Sequence, residues 1–127
     1  MGQQQLLLII LGVIIVGIAI AVGISQFGAH STQANKDGVT SSLVNISANA
    51  YQYKIRPGTM GGGGGSYVNY TIPTKMASDD NGVYTVSTAG SATSIAFQGV
   101  SSLGSAYTAT CTVDSTGVTR LVYSNNW

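Results

Sequence analysis

Residues 6–24 read LLLIILGVIIVGIAIAVGI, nineteen consecutive positions with neither a charge nor a hydrogen-bonding side chain. As a helix this run is roughly 28 Å long, about the thickness of a bilayer's hydrocarbon core. Only the short head MGQQQ precedes it, and the first charged side chain of the chain is Lys36. From Ser25 onward the pattern changes from apolar all round to apolar on one side. Val39, Leu43, Ile46, Ala50 and Tyr53 recur at spacings of four, three, four and three, which puts them on one helix face. The simplest reading is a single long helix over residues 1–57. Residues 1–24 form its hydrophobic assembly or transmembrane segment and 25–57 an amphipathic stalk, together about 80 Å long. Gly28 and Gly38 lower helix propensity between them and put any soft elbow near Gly38. Pro57-Gly58 ends the helix, because the residue before proline disfavours the α region and proline supplies no amide.

Residues 58–66 form a glycine-rich linker around the run Gly61–Gly65, either flexible or closely packed. No Gly-Lys-Ser/Thr follows it and no strand precedes it, so it is not a phosphate-cradling loop. Beyond it the period drops to two, predicting strands at Tyr67–Ile72, Val83–Thr88, Thr93–Phe97, Ala106–Val113 and Val118–Tyr123. In the fourth, Tyr107, Ala109, Cys111 and Val113 share one face and Thr108, Thr110 and Thr112 the other. Asp114-Ser-Thr-Gly117 joins it to the fifth as a hairpin, and Asp79-Asp-Asn-Gly82 is a turn. The expected fold class is α+β, with a small antiparallel sheet domain at 67–127 packed on the upper helix. Val39, Leu43, Ile46, Ala50 and Tyr53 hold the sheet to the stalk. Tyr84, Val86, Ile95, Phe97, Cys111 and Leu121 make its core.

Composition argues against several classes of function. Charged residues are 7% of the chain and the net charge is +1, so the basic footprint of a nucleic-acid binder is missing. A lone cysteine builds neither an intramolecular disulfide nor a Cys-based metal site, and Cys111 reads as a buried structural thiol. His30 falls in the stalk, away from any acidic cluster. Gly99-Val-Ser101-Ser-Leu-Gly104 carries its second glycine one place too late for a nucleophile elbow. Asp79, Asp80 and Asn81 are consecutive, where a calcium loop alternates its ligands. No enzyme, metal or cofactor is expected, and the seven tyrosines read as packing residues. Two N-glycosylation sequons occur, at Asn45 and Asn69. No Lys or Arg stands ahead of the apolar run, so it reads as part of the working protein and not as a secretory signal. Leu6 also occupies the place where an N-myristoylation signal has Ser or Thr.

An uncharged apolar run near the N-terminus, continued as an amphipathic helix and capped by a small sheet domain, resembles the type IV pilin family. The likeness covers the whole chain in architecture and about the first 25 residues in motif. It implies a homopolymer: the major structural subunit of an extracellular helical filament, inserted in a membrane before assembly machinery packs it helix against helix. It also implies a short basic leader removed before Met1, and methylation of Met1. Gln5 stands where the family usually has glutamate, so Gln3, Gln4 and Gln5 are expected to form an amide ladder in place of a charge pair. The paired C-terminal cysteines of many bacterial pilins are missing. The implied assembly interface comprises Met1, Gln3, Gln4, Gln5, Leu8, Gly12, Gly17, Ala21 and Gly23, whose small residues at spacings of four admit close helix approach. The alternative is a single-span surface protein whose sheet domain binds or adheres, or a minor pseudopilin of a secretion or DNA-uptake machine.

Overall fold

The computed structural model describes residues 2–127 and has one long helix, α1 (Gln3–Ile55), followed by a four-stranded antiparallel sheet. The chain divides into a unit ending at Gln33 and a second unit, Ala34–Trp127. The first is helix alone. The second holds the upper part of α1, a short 3-10 turn at Gly58–Met60, and strands β1 (Gly82–Thr88), β2 (Ile95–Ser101), β3 (Thr108–Val113) and β4 (Thr119–Tyr123). The strands lie in sequence order, each paired with the next. This is an α+β arrangement of two layers.

The apolar face anticipated along the stalk lies against the sheet. Val39, Leu43, Ile46 and Ala50 are buried and cluster with Tyr84, Ile95, Phe97, Ala109, Cys111 and Val113, while Tyr53, Val86 and Leu121 pack half-buried at the margin. Ser47, one turn after Leu43, is buried on the same face. Its hydroxyl donates to the Leu43 carbonyl at 2.8 Å and sits 2.8 Å from the Cys111 sulfur. A serine can therefore enter the core without an unsatisfied polar atom. Its only proton goes to the carbonyl, so the thiol donates to the hydroxyl.

The helix runs through Gly38 without interruption, and the glycine there serves close approach. A Cβ at that position would collide with the Asn81 side chain. Beside it the Asn35 amide donates to the Asn81 carbonyl at 3.1 Å and Ser101 donates to Asn35 Oδ1, fastening the helix to the end of the β1–β2 pair where Gly82 faces Ser101. The stretch Gly99–Ser101 is thus the end of β2, with Ser101 serving as a tie between helix and sheet.

Two turns form as their side chains dictate. Asp114 Oδ1 accepts from the amides of Thr116 and Val118 and from the Thr116 hydroxyl, and Gly117 takes φ 84° to close the β3–β4 hairpin. Asp79 Oδ1 accepts from the amides of Asn81 and Gly82, turning the chain into β1.

Two expectations are corrected. Tyr67–Ile72 is not a strand, so the sheet begins at Gly82 and not near residue 67. Asn69 adopts φ 65°, which no strand accommodates, and the segment is held by side chains: Tyr67 donates to the Asp114 carbonyl, Tyr70 to Asn49 Oδ1, and Tyr53 to the Val68 carbonyl. Strand β2 starts at Ile95, two residues after the predicted Thr93, because the Ser91 hydroxyl accepts from the amides of Thr93 and Ser94 and holds them in a turn. It also runs on to Ser101, past the predicted end at Phe97. Of the two readings of the glycine run, flexible or closely packed, the structure has the packed one. Gly63, Gly64 and Gly65 donate amides to the carbonyls of Tyr53, Arg56 and Lys54 at the end of α1, and a Cβ on Gly62 or Gly63 would strike backbone.

Candidate functional site

The unit ending at Gln33 carries the candidate site, and its chemistry is that of a surface. Every large apolar side chain from Leu6 to Ile24 is at least half exposed, and Phe27 is more exposed still. An 18-residue window of this helix has a mean hydropathy of 3.2 and is unburied. That is long and apolar enough to cross a membrane, a test that the core helix of a soluble protein also passes. Contiguous exposure on this scale marks a surface that something covers.

Gln3, Gln4 and Gln5 open α1, and the first turn contains no acidic side chain. The Gln5 amide donates to the Gly2 carbonyl at 3.2 Å, and all three glutamine side chains are exposed. Met1 lies outside the described residues. Leu8, Gly12, Gly17, Ala21 and Gly23 are exposed along the same helix. A Cβ added to Gly12, Gly17 or Gly23 would meet nothing within 4 Å. Each glycine costs the helix about 1 kcal/mol relative to alanine, and no contact in this chain offsets that cost among the described residues.

The sheet unit holds no comparable constellation. Among the described residues no group of three or more His, Cys, Asp or Glu side chains gathers as a metal site. His30 is exposed on the helix. Cys111 is fully buried, and burial pushes its thiol pKa up, away from the reactive thiolate. Burial pushes the Tyr70 and Tyr84 phenols up to about 12, as expected of core hydroxyls with fixed partners. At Asp79, burial raises the carboxyl. Hydrogen bonds from Ser42, Tyr84 and the Asn81 and Gly82 amides outweigh that effect and hold it below its usual value. This carboxylate is a joint between helix and sheet, tying Ser42 of α1 to Tyr84 of β1. Asn45 and Asn69 are both exposed.

Sequence reasoning did not identify Ser47, Asn35 or Ser101 as ties between helix and sheet. Ser47 was detectable, since it stands four residues after Leu43 and one after Ile46 on the apolar face. Asn35 and Ser101 carried no such signal, because their partners are 66 residues apart in the chain. Comparison with protein-family models, with curated proteins and with solved structures gives no match.

Proposed function

We propose that this chain is the major structural subunit of an extracellular, type IV pilus-like helical filament. The helices of many copies pack in its core, and its sheet units line the outside. The observation that carries the reading is the uncovered apolar helix from Leu6 to Ile24 in a chain whose sheet unit has its own core.

Magnitudes favour self-association over exposure to water. Fully burying an aliphatic side chain stabilises by about 1.5–3 kcal/mol. Leu6 to Ile24 contributes fourteen large aliphatic side chains, each at least half exposed, so covering them is worth on the order of 15 kcal/mol per subunit. Ordering two macromolecules costs about 4–15 kcal/mol, so burial on this scale offsets it. A bilayer covers the same surface equally well, which makes lipid the host before assembly. Close helix contacts would then repay the three unexplained glycines, since small residues let backbones approach in an apolar medium. Gln5 stands where the pilin family usually has a carboxylate; its amide can accept a hydrogen bond but cannot neutralise a buried cation, so an amide ladder of Gln3, Gln4 and Gln5 takes the place of a charge pair.

Shearing cells that make the chain and imaging the supernatant by negative stain tests this. Filaments containing the chain are expected, and recovery only from detergent-extracted membranes would refute the filament in favour of the single-span anchor. In the filament, Gly17→Leu is expected to lower yield or change the helical parameters. Unchanged filaments would remove the close-packing argument.

A further inference from the structure

The two sequons are equivalent as sequence but not as structure. Asn45-Ile-Ser47 lies inside α1. Its asparagine is exposed, but Ile46 and Ser47 are buried and the Ser47 hydroxyl is committed to the Leu43 carbonyl and the Cys111 thiol. A glycosyltransferase recognises the acceptor amide and the hydroxyl two residues later together. Presenting both here would require unwinding the helix and withdrawing two residues from the core.

Asn69-Tyr-Thr71 is placed differently. It lies in a connection outside helix and strand. Asn69 and Thr71 are both exposed, and among the described residues neither side chain has a hydrogen-bond partner. Only the middle residue is anchored: Tyr70 is buried, its hydroxyl donates to Asn49 Oδ1 at 2.7 Å, and its ring meets Tyr53 and Phe97 edge-on. The Tyr70 amide donates to the Tyr67 carbonyl, turning the chain so that Asn69, at φ 65°, stands at the bend. Asparagine is among the few residues that adopt this conformation readily.

We propose that Asn69 is an N-linked glycan attachment site of this protein and that Asn45 is not. This rests on the reading that the chain is exported. In the transfer, Asn69 Nδ2 bonds to the anomeric carbon of a sugar carried on an isoprenoid phosphate or diphosphate. The bond from that carbon to the phosphate oxygen breaks, the lipid phosphate leaves, and one amide proton passes to a base of the transferase. The acceptor side chain is already free, and the attached sugar projects into solvent over the connection between α1 and the sheet.

The test is intact-mass and glycopeptide mass spectrometry of the full-length chain from its own cells, comparing sheared supernatant with cell-associated material. A saccharide mass on the peptide containing Asn69 is expected. It should be lost in Asn69→Asp, which keeps a residue tolerant of positive φ, and in Thr71→Ala, which leaves Asn69 in place. It should persist in Thr71→Ser and Asn45→Gln. An unmodified Asn69 on chain recovered outside the cell overturns the glycan alone, and unmodified chain confined to the cell interior overturns export with it. Sugar on Asn45 also overturns the assignment.

Discussion

Leu43 and Val44 are neighbours in sequence with opposite surroundings, and truncating each to alanine tests the packing of helix on sheet. Leu43 is fully buried between α1 and the sheet, whereas Val44 is 41% exposed on the other side of the helix. Leu43→Ala removes three buried carbons and leaves a void in a two-layer core with little room to collapse. Comparable replacements cost 2–5 kcal/mol, so about 3 kcal/mol is expected. Val44→Ala loses part of an exposed side chain, about 0.5 kcal/mol, and regains a similar amount because alanine is the better helix former. Its net effect is close to zero. For a domain of this size 1 kcal/mol moves Tm by about 4–8 °C, so Leu43→Ala should melt about 15 °C below the parent and Val44→Ala within a few degrees of it. Circular dichroism of full-length protein in one detergent, followed at a wavelength dominated by the sheet unit, reads both. If the two variants melt together, the helix face at Val39, Leu43, Ile46 and Ala50 does not hold the sheet, and the account of the core is wrong.

Two further outcomes follow from the same core and its edge. Cys111 should resist a maleimide or disulfide reagent in the folded protein and react at the rate of a free thiol once denaturant unfolds the sheet, because it is buried and its pKa is raised; rapid labelling of native protein would contradict the Ser47–Cys111 contact. The Asp79 carboxyl is held below its ordinary value of 3.8, so its folded pKa is depressed. The stability it contributes is complete above about pH 5 and disappears as pH falls through the depressed value. Asp79→Asn should therefore shrink the drop in Tm between pH 6 and pH 2, and an unchanged acid profile would show that the Ser42–Asp79–Tyr84 joint carries none of it.

The helix and most of the sheet were legible because their signals are local. The spacing of Val39, Leu43, Ile46 and Ala50 names a face, and the alternation around Cys111 names a strand whose inner side chains are the buried ones. Asp114 to Gly117 specifies its own turn through hydrogen bonds no more than four residues long. The misread segments depend on distant partners. Tyr67 to Ile72 has the composition of a strand, but the Tyr67 hydroxyl reaches Asp114, 47 residues away, and Tyr70 fills space beside Phe97. Tertiary contact there overrides a propensity that is only a weak prior. Gly38 looked like a weakness in the helix, and only the position of Asn81 shows why the side chain is missing. The uncovered surface from Leu6 to Ile24 was fully legible, since nineteen uncharged residues need no structure to announce themselves. What covers them is not written in this chain's own contacts.

Of the five glycines at residues 61–65, Gly63, Gly64 and Gly65 are bound to the end of α1 with amides aimed at particular carbonyls, and there is no room for side chains at Gly62 and Gly63. Tracts of one repeated amino acid are usually where coding sequences gain and lose codons, since slippage during replication changes their length and a slack tether tolerates the change. Here the tract is a spacer of fixed gauge. One glycine more or fewer would move every following amide out of register with the carbonyls of Tyr53, Lys54 and Arg56, so variation in its length among natural versions of this chain should be held as tightly as a substitution in the core.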